Sequence, residues 1–408
     1  MRVRSLAVAA AVLALLLVPA AEAGSRDALQ QQLAAALRAR HVSPSQTGAI
    51  VLDLRTGQTL FAEHTGLALR PASNEKLATT YAALTALGPS FRIETDALGD
   101  GTQDGATWQG DLVLKGYGDP SLSGAEVDSL ARQVAAAGIR HVTGRILGDE
   151  TWFDTRRTGA GWKAQFYLHE SPALSALIVN RGWTGRVETG NPALYAAQLF
   201  RLDLRRAGVT VHGAAAVGVA SEDAVQLANV ESPTLSALVR HMDVYSDNFY
   251  AEMLLKEIGA VQGSSGTAAA GLAVARRLLA AAGVPLTGVR MVDGSGLSLT
   301  DRWTPSGLAA LLRTMWLDPD LEPYLLPALP VAGLTGTLRH RMRGRPARGL
   351  VRAKTGTTAN SSALSGFVGD RYVFSILENG RPVKTVNAER SQDRFAQVLA
   401  RAAGADAP

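Results

Sequence analysis

The apolar and polar positions of the chain repeat with two periods, and the periods divide it into elements. Residues 26–40 carry Leu29, Leu33, Ala36 and Leu37 three or four apart, which predicts an amphipathic helix. Segments 47–54 and 58–63 flank Arg55-Thr56-Gly57, the pattern of a strand, a turn and a second strand. Pro71-Ala72-Ser73 then leads into a helix over 74–87, closed by Gly88-Pro89. From Phe91 the texture changes. Residues 93–160 are rich in Gly and Asp, with short β-like runs at 112–115 and 142–147. Helical spacing returns over 191–207, 234–260, 268–282 (ending at Gly283) and 305–317. The last third reads as strands at 350–353, 363–368 and 372–378, then a helix near 387–402. There is no internal repeat and no long linker. The outline is an α/β domain split in sequence by a smaller β-rich insert at 91–224. Segments 24–90 and 225–408 are then the two parts of the main domain.

The first 23 residues stand apart. Arg2 and Arg4 precede an apolar run over 5–20, and Ala21-Glu22-Ala23 has the small-residue form of a cleavage site. This pattern predicts a secretory signal peptide. The competing reading, a membrane anchor, needs a span of ~20 apolar residues, and the run is shorter. No later stretch is apolar enough to span a bilayer. The processed protein is expected to be exported to a periplasm or an extracellular wall space, without a stable membrane anchor. Removing two arginines and one glutamate lowers the formal charge from +5 to +4.

Composition narrows the chemistry. The chain has 408 residues, 47% hydrophobic and 19% charged, too apolar for a disordered protein. It has no cysteine, which excludes disulfides, thiol catalysis, thiolate zinc sites and iron–sulfur centres. No two of the seven histidines have H-x-x-x-H spacing, so no helix-borne metal site is expected, nor any cofactor. The basic residues form no run longer than two, which argues against a nucleic-acid partner. Six of the 41 basic residues are lysines, so a lysine inside a motif is conspicuous.

Two of those six fall in motifs. Ser73-Asn74-Glu75-Lys76 is an S-x-x-K at the start of a predicted helix. Spacing of i, i+3 places hydroxyl and amine on one face. A serine hydroxyl needs a base to attack, and a lysine can serve if burial lowers its pKa. Ser246-Asp247-Asn248 is the chain's one S-x-N, between two apolar helical stretches. Lys354-Thr355-Gly356, followed by Thr357, closes a predicted strand; it offers a cation, hydroxyls and a glycine that admits a substrate backbone. Each motif alone reads equally as a cap or a turn. No G-x-S-x-G occurs, which argues against a nucleophile-elbow hydrolase.

The order S-x-x-K, S-x-N, K-T-G resembles penicillin-binding proteins and serine β-lactamases. Ser73 and Ser246 are 173 residues apart, too far for a simple β-lactamase. The spacing resembles class C low-molecular-mass penicillin-binding proteins, the D-alanyl-D-alanine carboxypeptidase/endopeptidase family, which carry extra domains between the first two motifs. Further segments share the resemblance in order: 116–120 (GYGDP), 149–154 (DETWFD), 246–252 (SDNFYAE), 293–298 (DGSGLS), 329–333 with 336–338, and 354–357. The insert is shorter than in the longer members, which puts endopeptidase activity in doubt more than acyl transfer.

The resemblance implies an α/β (α+β) penicillin-binding/β-lactamase-like fold, an antiparallel sheet flanked by helices, and a serine D-Ala-D-Ala carboxypeptidase acting on peptidoglycan stem peptides. Ser73 would be the nucleophile and Lys76 its base. Ser246 would relay a proton to the leaving amine, and Asn248 would bind substrate or orient Lys76. Lys354, Thr355 and Thr357 would bind the terminal carboxylate, with Gly356 beside them. The backbone N–H groups of Ser73 and Thr357 would hold the oxyanion. Asp293 and Ser295 would support the site. β-Lactams would acylate the same serine. A β-lactamase and a non-catalytic wall-binding module are the alternatives.

Overall fold

The computed structural model describes residues 26–38 and 42–405 of the chain. The expected signal segment, 1–23, lies outside them. Two compact units form. One comprises the described residues up to Leu69 with Thr304–Arg313 and the segment from Pro330 onward; the other comprises Arg70–Trp303 and Thr314–Leu329.

The first unit is built on a five-stranded antiparallel sheet. Its order is Val351–Thr358, Ser361–Val368, Tyr372–Asn379, Thr47–Asp53, Thr59–Glu63. Every residue of Ser361–Val368 and Tyr372–Asn379 is buried, so both faces of these central strands are covered. One covering layer is the helix over 26–37 with the helix Thr385–Ala405. Leu33, Leu37, Phe395 and Leu399 pack on Val51, Phe61, Leu364 and Phe374. Phe395 meets Phe61 edge-on with centroids 5.5 Å apart. The strand predicted at 350–353 runs on to Thr358, which puts K-T-G inside a strand rather than at its end.

The second unit combines a seven-stranded mixed sheet with a helical layer. Within the sheet, Glu94–Asp104 pairs antiparallel with Thr107–Gly116 and Val225–Glu231, while Ile146–Asp149 runs parallel to Thr107–Gly116 and Ala215–Val217. Alternation assigns the faces. Leu112 and Leu114 face the helices Gly124–Ala136 and Pro192–Arg206, and Val113 turns to the opposite side with Leu98 and Leu147. The Gly- and Asp-rich texture of 93–160 conceals the first of these helices. Its signal is local: a capping box, in which Ser123 and Glu126 satisfy each other's backbone N–H groups, ahead of buried Val127, Leu130, Ala131 and Val134. The helix expected over 234–260 is broken into Leu235–Tyr245 and Asn248–Gln262. The helix Ala268–Ala281 crosses Asn248–Gln262 at Gly271, where a Cβ would stand 1.9 Å from the Leu255 carbonyl oxygen.

Phe200 is fully buried in the core cluster that also holds Leu130, Val134 and Leu204. Phe200→Ala removes its ring from water-excluded packing and should cost ~3–5 kcal/mol. A lowered thermal midpoint would show this, and an unchanged one would contradict the assignment of this core.

Candidate active site

Ser73 stands on a 3-10 turn, Ala72–Glu75, that runs directly into the helix Lys76–Leu87. Ala72, just before it, has φ +46°, a region costly for a residue with a side chain. Its neighbour holds it there. Gly296 has φ +83°, and a Cβ on it would come 1.9 Å from the Ala72 carbonyl oxygen. The loop 293–298 therefore backs directly onto the serine turn.

Lys76 is 0% exposed. Its Nζ donates to Ser73 Oγ at 3.0 Å, Asn248 Oδ1 at 2.7 Å and the Ser295 carbonyl at 2.7 Å. An ammonium has three N–H groups, and each has an acceptor. All three acceptors are neutral. Burial pushes the amine down to about 8, against the pull of Asp293, Asp243, Glu252 and Asp247. A lysine in that range is a usable base near neutral pH, and its lone pair has the Ser73 hydroxyl within reach.

The second motif is set by backbone geometry. Ser246 ends the helix Leu235–Tyr245 in the left-handed region at φ +59°, and its N–H bonds the Met242 carbonyl. Asp247 caps the next helix by accepting the Tyr250 N–H at 3.2 Å. It also accepts two bonds from Arg181, at 2.6 and 3.2 Å, and lies 3.4 Å from His241 Nε2. Burial works against ionisation, but His241 and Arg181 hold Asp247 well below the usual carboxylate range. Asn248 is held at both ends: Oδ1 by Lys76, and Nδ2 by the Glu170 carbonyl at 3.1 Å.

Asp293 organises the supporting loop. It accepts from Trp162 Nε1, Gly296 N and Ser298 N, each at 2.7 Å, and from Ser295 Oγ at 3.4 Å. The Ser295 hydroxyl thus faces Asp293, while its carbonyl faces Lys76. Sequence reasoning missed a ring of carboxyls behind this loop. Glu252 Oε1 accepts from Gly294 N at 3.0 Å and Ser295 N at 2.9 Å. Glu75 accepts from Trp303 Nε1 at 2.9 Å, and Asp301 from Val292 N at 2.7 Å. Burial, with Asp293 adding to it, raises Glu252 to about 8, Asp301 to about 12 and Glu75 well above the ordinary value. A signal was available: Glu252 is a charge inside an apolar helical run, A-E-M-L-L. Arg181 and Glu170 had none, since each lies in a loop far from Asn248 in sequence. Three carboxylates of residues 91–224 have local or structural partners: Asp119 and Asp149 accept from the Ser121 and Thr151 N–H groups, and Asp154 accepts from Lys256 Nζ at 2.5 Å.

The structure therefore brings Ser73, Lys76, Asn248 and Ser295 into direct contact, with Asp293 behind them and Ser246 two residues before Asn248. Lys354, Thr355, Gly356 and Thr357 belong to the first unit. They lie on Val351–Thr358, the edge strand of the five-stranded sheet. Lys354 is fully buried, and its Nζ donates to the Thr355 carbonyl at 3.0 Å. Thr355 Oγ1 donates to Thr337 Oγ1 at 2.7 Å, and Thr357 is exposed. An edge strand can offer backbone groups to an added extended peptide; here residues 330–332 already bond this edge at Val351 and Ala353, ahead of Lys354. No group of His, Asp or Glu able to hold a metal is found among the described residues.

The fold is that of the penicillin-binding serine enzymes. It aligns with penicillin-binding protein 4 from Haemophilus influenzae at a TM-score of 0.79 and 20% identity, over 93% of this chain and 99% of that one. The chain belongs to the D-Ala-D-Ala carboxypeptidase 3 (S13) family, whose model matches residues 29–191 and 184–402. It is 32% identical to the D-alanyl-D-alanine carboxypeptidase of Actinomadura sp. (strain R39), over 93% of this chain and 86% of the relative. It is 30% identical to carboxypeptidase DacB of Mycolicibacterium smegmatis, over 85% and 80%.

Serine acylation should follow the free amine of Lys76. The rate should climb with pH, roughly tenfold per unit below about 8, and level off above it. Because Glu252 is also raised to about 8, the Glu252→Gln variant separates the two groups. It keeps an acceptor for both backbone N–H groups, so its rising limb should persist; Glu252→Ala leaves both unpaired and should slow acylation roughly tenfold or more. Stopped-flow acylation across pH reads both effects. A limb that vanishes in Glu252→Gln would assign the titration to the carboxyl instead.

Proposed function

We propose that this protein is an exported serine-type D-Ala-D-Ala carboxypeptidase that hydrolyses peptidoglycan stem peptides through an acyl-enzyme on Ser73. The observation that carries the assignment is the 3.0 Å bond between Ser73 Oγ and a fully buried Lys76 amine whose pKa is lowered to about 8. Family membership and the names of the two relatives support the substrate class.

In this reading the Ser73 proton passes to Lys76 Nζ as Oγ bonds the carbonyl carbon of the penultimate D-Ala. The tetrahedral intermediate then collapses, the C–N bond breaks, and the amine of the terminal D-Ala leaves with a proton relayed through Ser246. Water hydrolyses the resulting ester and regenerates Ser73. Asn248 keeps Lys76 aimed, because its amide is fixed at both ends. Lys354, Thr355 and Thr357 take the terminal carboxylate, and Gly356 admits the substrate backbone. Asp293 and Ser295 hold the loop whose carbonyl fixes the amine. β-Lactams acylate the same hydroxyl, and cutting a crosslink would need the same chemistry with a different leaving amine. Residues 91–224 form an inserted domain between the first two motifs, and residues 1–23 direct export.

Ser73→Ala should abolish covalent labelling by a fluorescent penicillin and D-Ala release from a stem pentapeptide, with an unchanged thermal midpoint. Muropeptide binding that survives the substitution, with no product from the parent protein, would overturn the enzymatic reading. Rapid turnover of penicillin in place of a lasting adduct would identify a β-lactamase.

A further inference from the structure

The positive charge of this chain is concentrated in one place. Between Glu322 and Asp370 there is no acidic residue, and that stretch holds seven of the 41 lysines and arginines. The rest of the chain carries 34 basic and 36 acidic residues, so the net positive charge resides in this segment. Although no basic run exceeds two residues, five arginines and His340 fall within 339–348.

Their environments differ. Arg341 is committed: it reaches Asp393 at 2.7 Å and Gln392 at 3.1 Å, which ties the loop to the helix Thr385–Ala405. Arg339, Arg343, Arg345 and Arg348 are exposed, and none has an ion-pair or side-chain hydrogen-bond partner among the described residues. Some exposed arginines elsewhere are paired, Arg55 with Asp370 and Arg145 with Asp111, and those that are not, such as Arg186 and Arg240, stand apart in sequence. Four like charges held within ten residues repel one another unless an anion joins them. Apolar surface lies among them. Arg345, Pro346, Arg348, Gly349 and Leu350 line a cleft of ≈ 420 Å³. Leu334 is 42% exposed, and its side chain is 3.7 Å from where a Cβ on Gly349 would stand.

We propose that the loop 339–348 docks this protein peripherally on a membrane surface bearing anionic phospholipid headgroups. Guanidinium groups match phosphate oxygens two at a time. Leu334 and the Leu350 wall of the cleft meet the boundary between headgroups and acyl chains, a contact that a soluble polyanion does not supply. Attachment through guanidinium groups and headgroup phosphates is electrostatic and reversible. It rests on charge distribution and exposure, independently of the catalytic assignment.

The test is co-sedimentation of the processed protein, its N-terminus verified by mass spectrometry. The vesicles are phosphatidylcholine with phosphatidylglycerol, or phosphatidylcholine alone. Binding should require phosphatidylglycerol and be released by raising the salt to about 0.5 M. Each neutralised arginine should weaken it roughly fivefold. The combined Arg343→Gln, Arg345→Gln and Arg348→Gln variant should therefore bind on the order of a hundredfold more weakly, while releasing D-Ala from a soluble pentapeptide at the parent rate. Leu334→Ala should weaken vesicle binding further. Equal binding to neutral vesicles, or parent-like binding by the triple variant, would overturn the proposal. So would binding to soluble poly(glycerol phosphate) without vesicle sedimentation, which would assign the loop to a polymer instead.

Discussion

The buried amine of Lys76 is the interaction around which the helical part of the second unit is arranged. An ammonium taken out of water is tolerable only if every N–H finds an acceptor. Here the three acceptors come from three separate segments: the serine turn, the start of the helix Asn248–Gln262, and the loop 293–298. Each segment must arrive with sub-ångström accuracy, and other contacts hold each one. Thr79 Oγ1 bonds the Gly294 carbonyl at 2.8 Å, and Gly296 lies against Ala72. Two elements next to Lys76 also occupy left-handed backbone at non-glycine residues, Ala72 and Ser246. That conformational cost is sustained because packing on both sides leaves no relaxed alternative.

The carboxyls behind the loop resolve an apparent conflict. The proposed role of Lys76 as a base requires that it lose its proton readily, yet Glu75, Glu252, Asp243, Asp293 and Asp301 are all buried in this unit. Five anions around one amine would raise its pKa above any useful value. Burial acts on the carboxyls as well as on the amine. It drives Glu75, Glu252 and Asp301 toward their neutral forms, which reduces the field that would trap the proton on Lys76. As neutral groups they still accept hydrogen bonds from the Trp303 indole and from the backbone of Val292, Gly294 and Ser295. The same desolvation that lowers the amine thus restrains the groups opposing it.

What could be read from the sequence follows the range of the interactions. Periodicity located the strands of the antiparallel sheet and most helices, because burial of one face is a local pattern. The motif residues were legible because two of six lysines fell at fixed offsets from hydroxyls. The helix Gly124–Ala136 was hidden by the surrounding Gly and Asp, although its capping box was present. Length also misled: 234–260 reads as one helical stretch, and only the left-handed Ser246 separates the two helices. The partners of the motif residues were illegible for a different reason. Arg181 to Asp247, Glu170 to Asn248 and Trp162 to Asp293 are 66, 78 and 131 residues apart, and no periodicity links positions at such distances.

Those long-range contacts also change how the region between the first two motifs should be understood. The resemblance associates inserts with positioning and substrate access rather than with the chemistry itself, and the contacts give the positioning a concrete form. In this chain, residues 152–181 reach the groups that fix the site. Trp162 bonds Asp293, Arg181 clamps Asp247, Glu170 holds Asn248, and Trp152 donates to Glu257 at 2.9 Å. Asp154 neutralises Lys256, a buried cation on the same helix as Asn248. Three of these bonds end on Asp247, Asn248 and Asp293 themselves, and the other two hold the helix Asn248–Gln262 about two turns beyond Asn248. The amide of Asn248 shows the consequence. Without Glu170 on its nitrogen side it could rotate and present nitrogen to Lys76, replacing an acceptor with a donor against a buried ammonium. Residues 152–181 thus enforce the hydrogen-bond polarity on which the buried lysine depends.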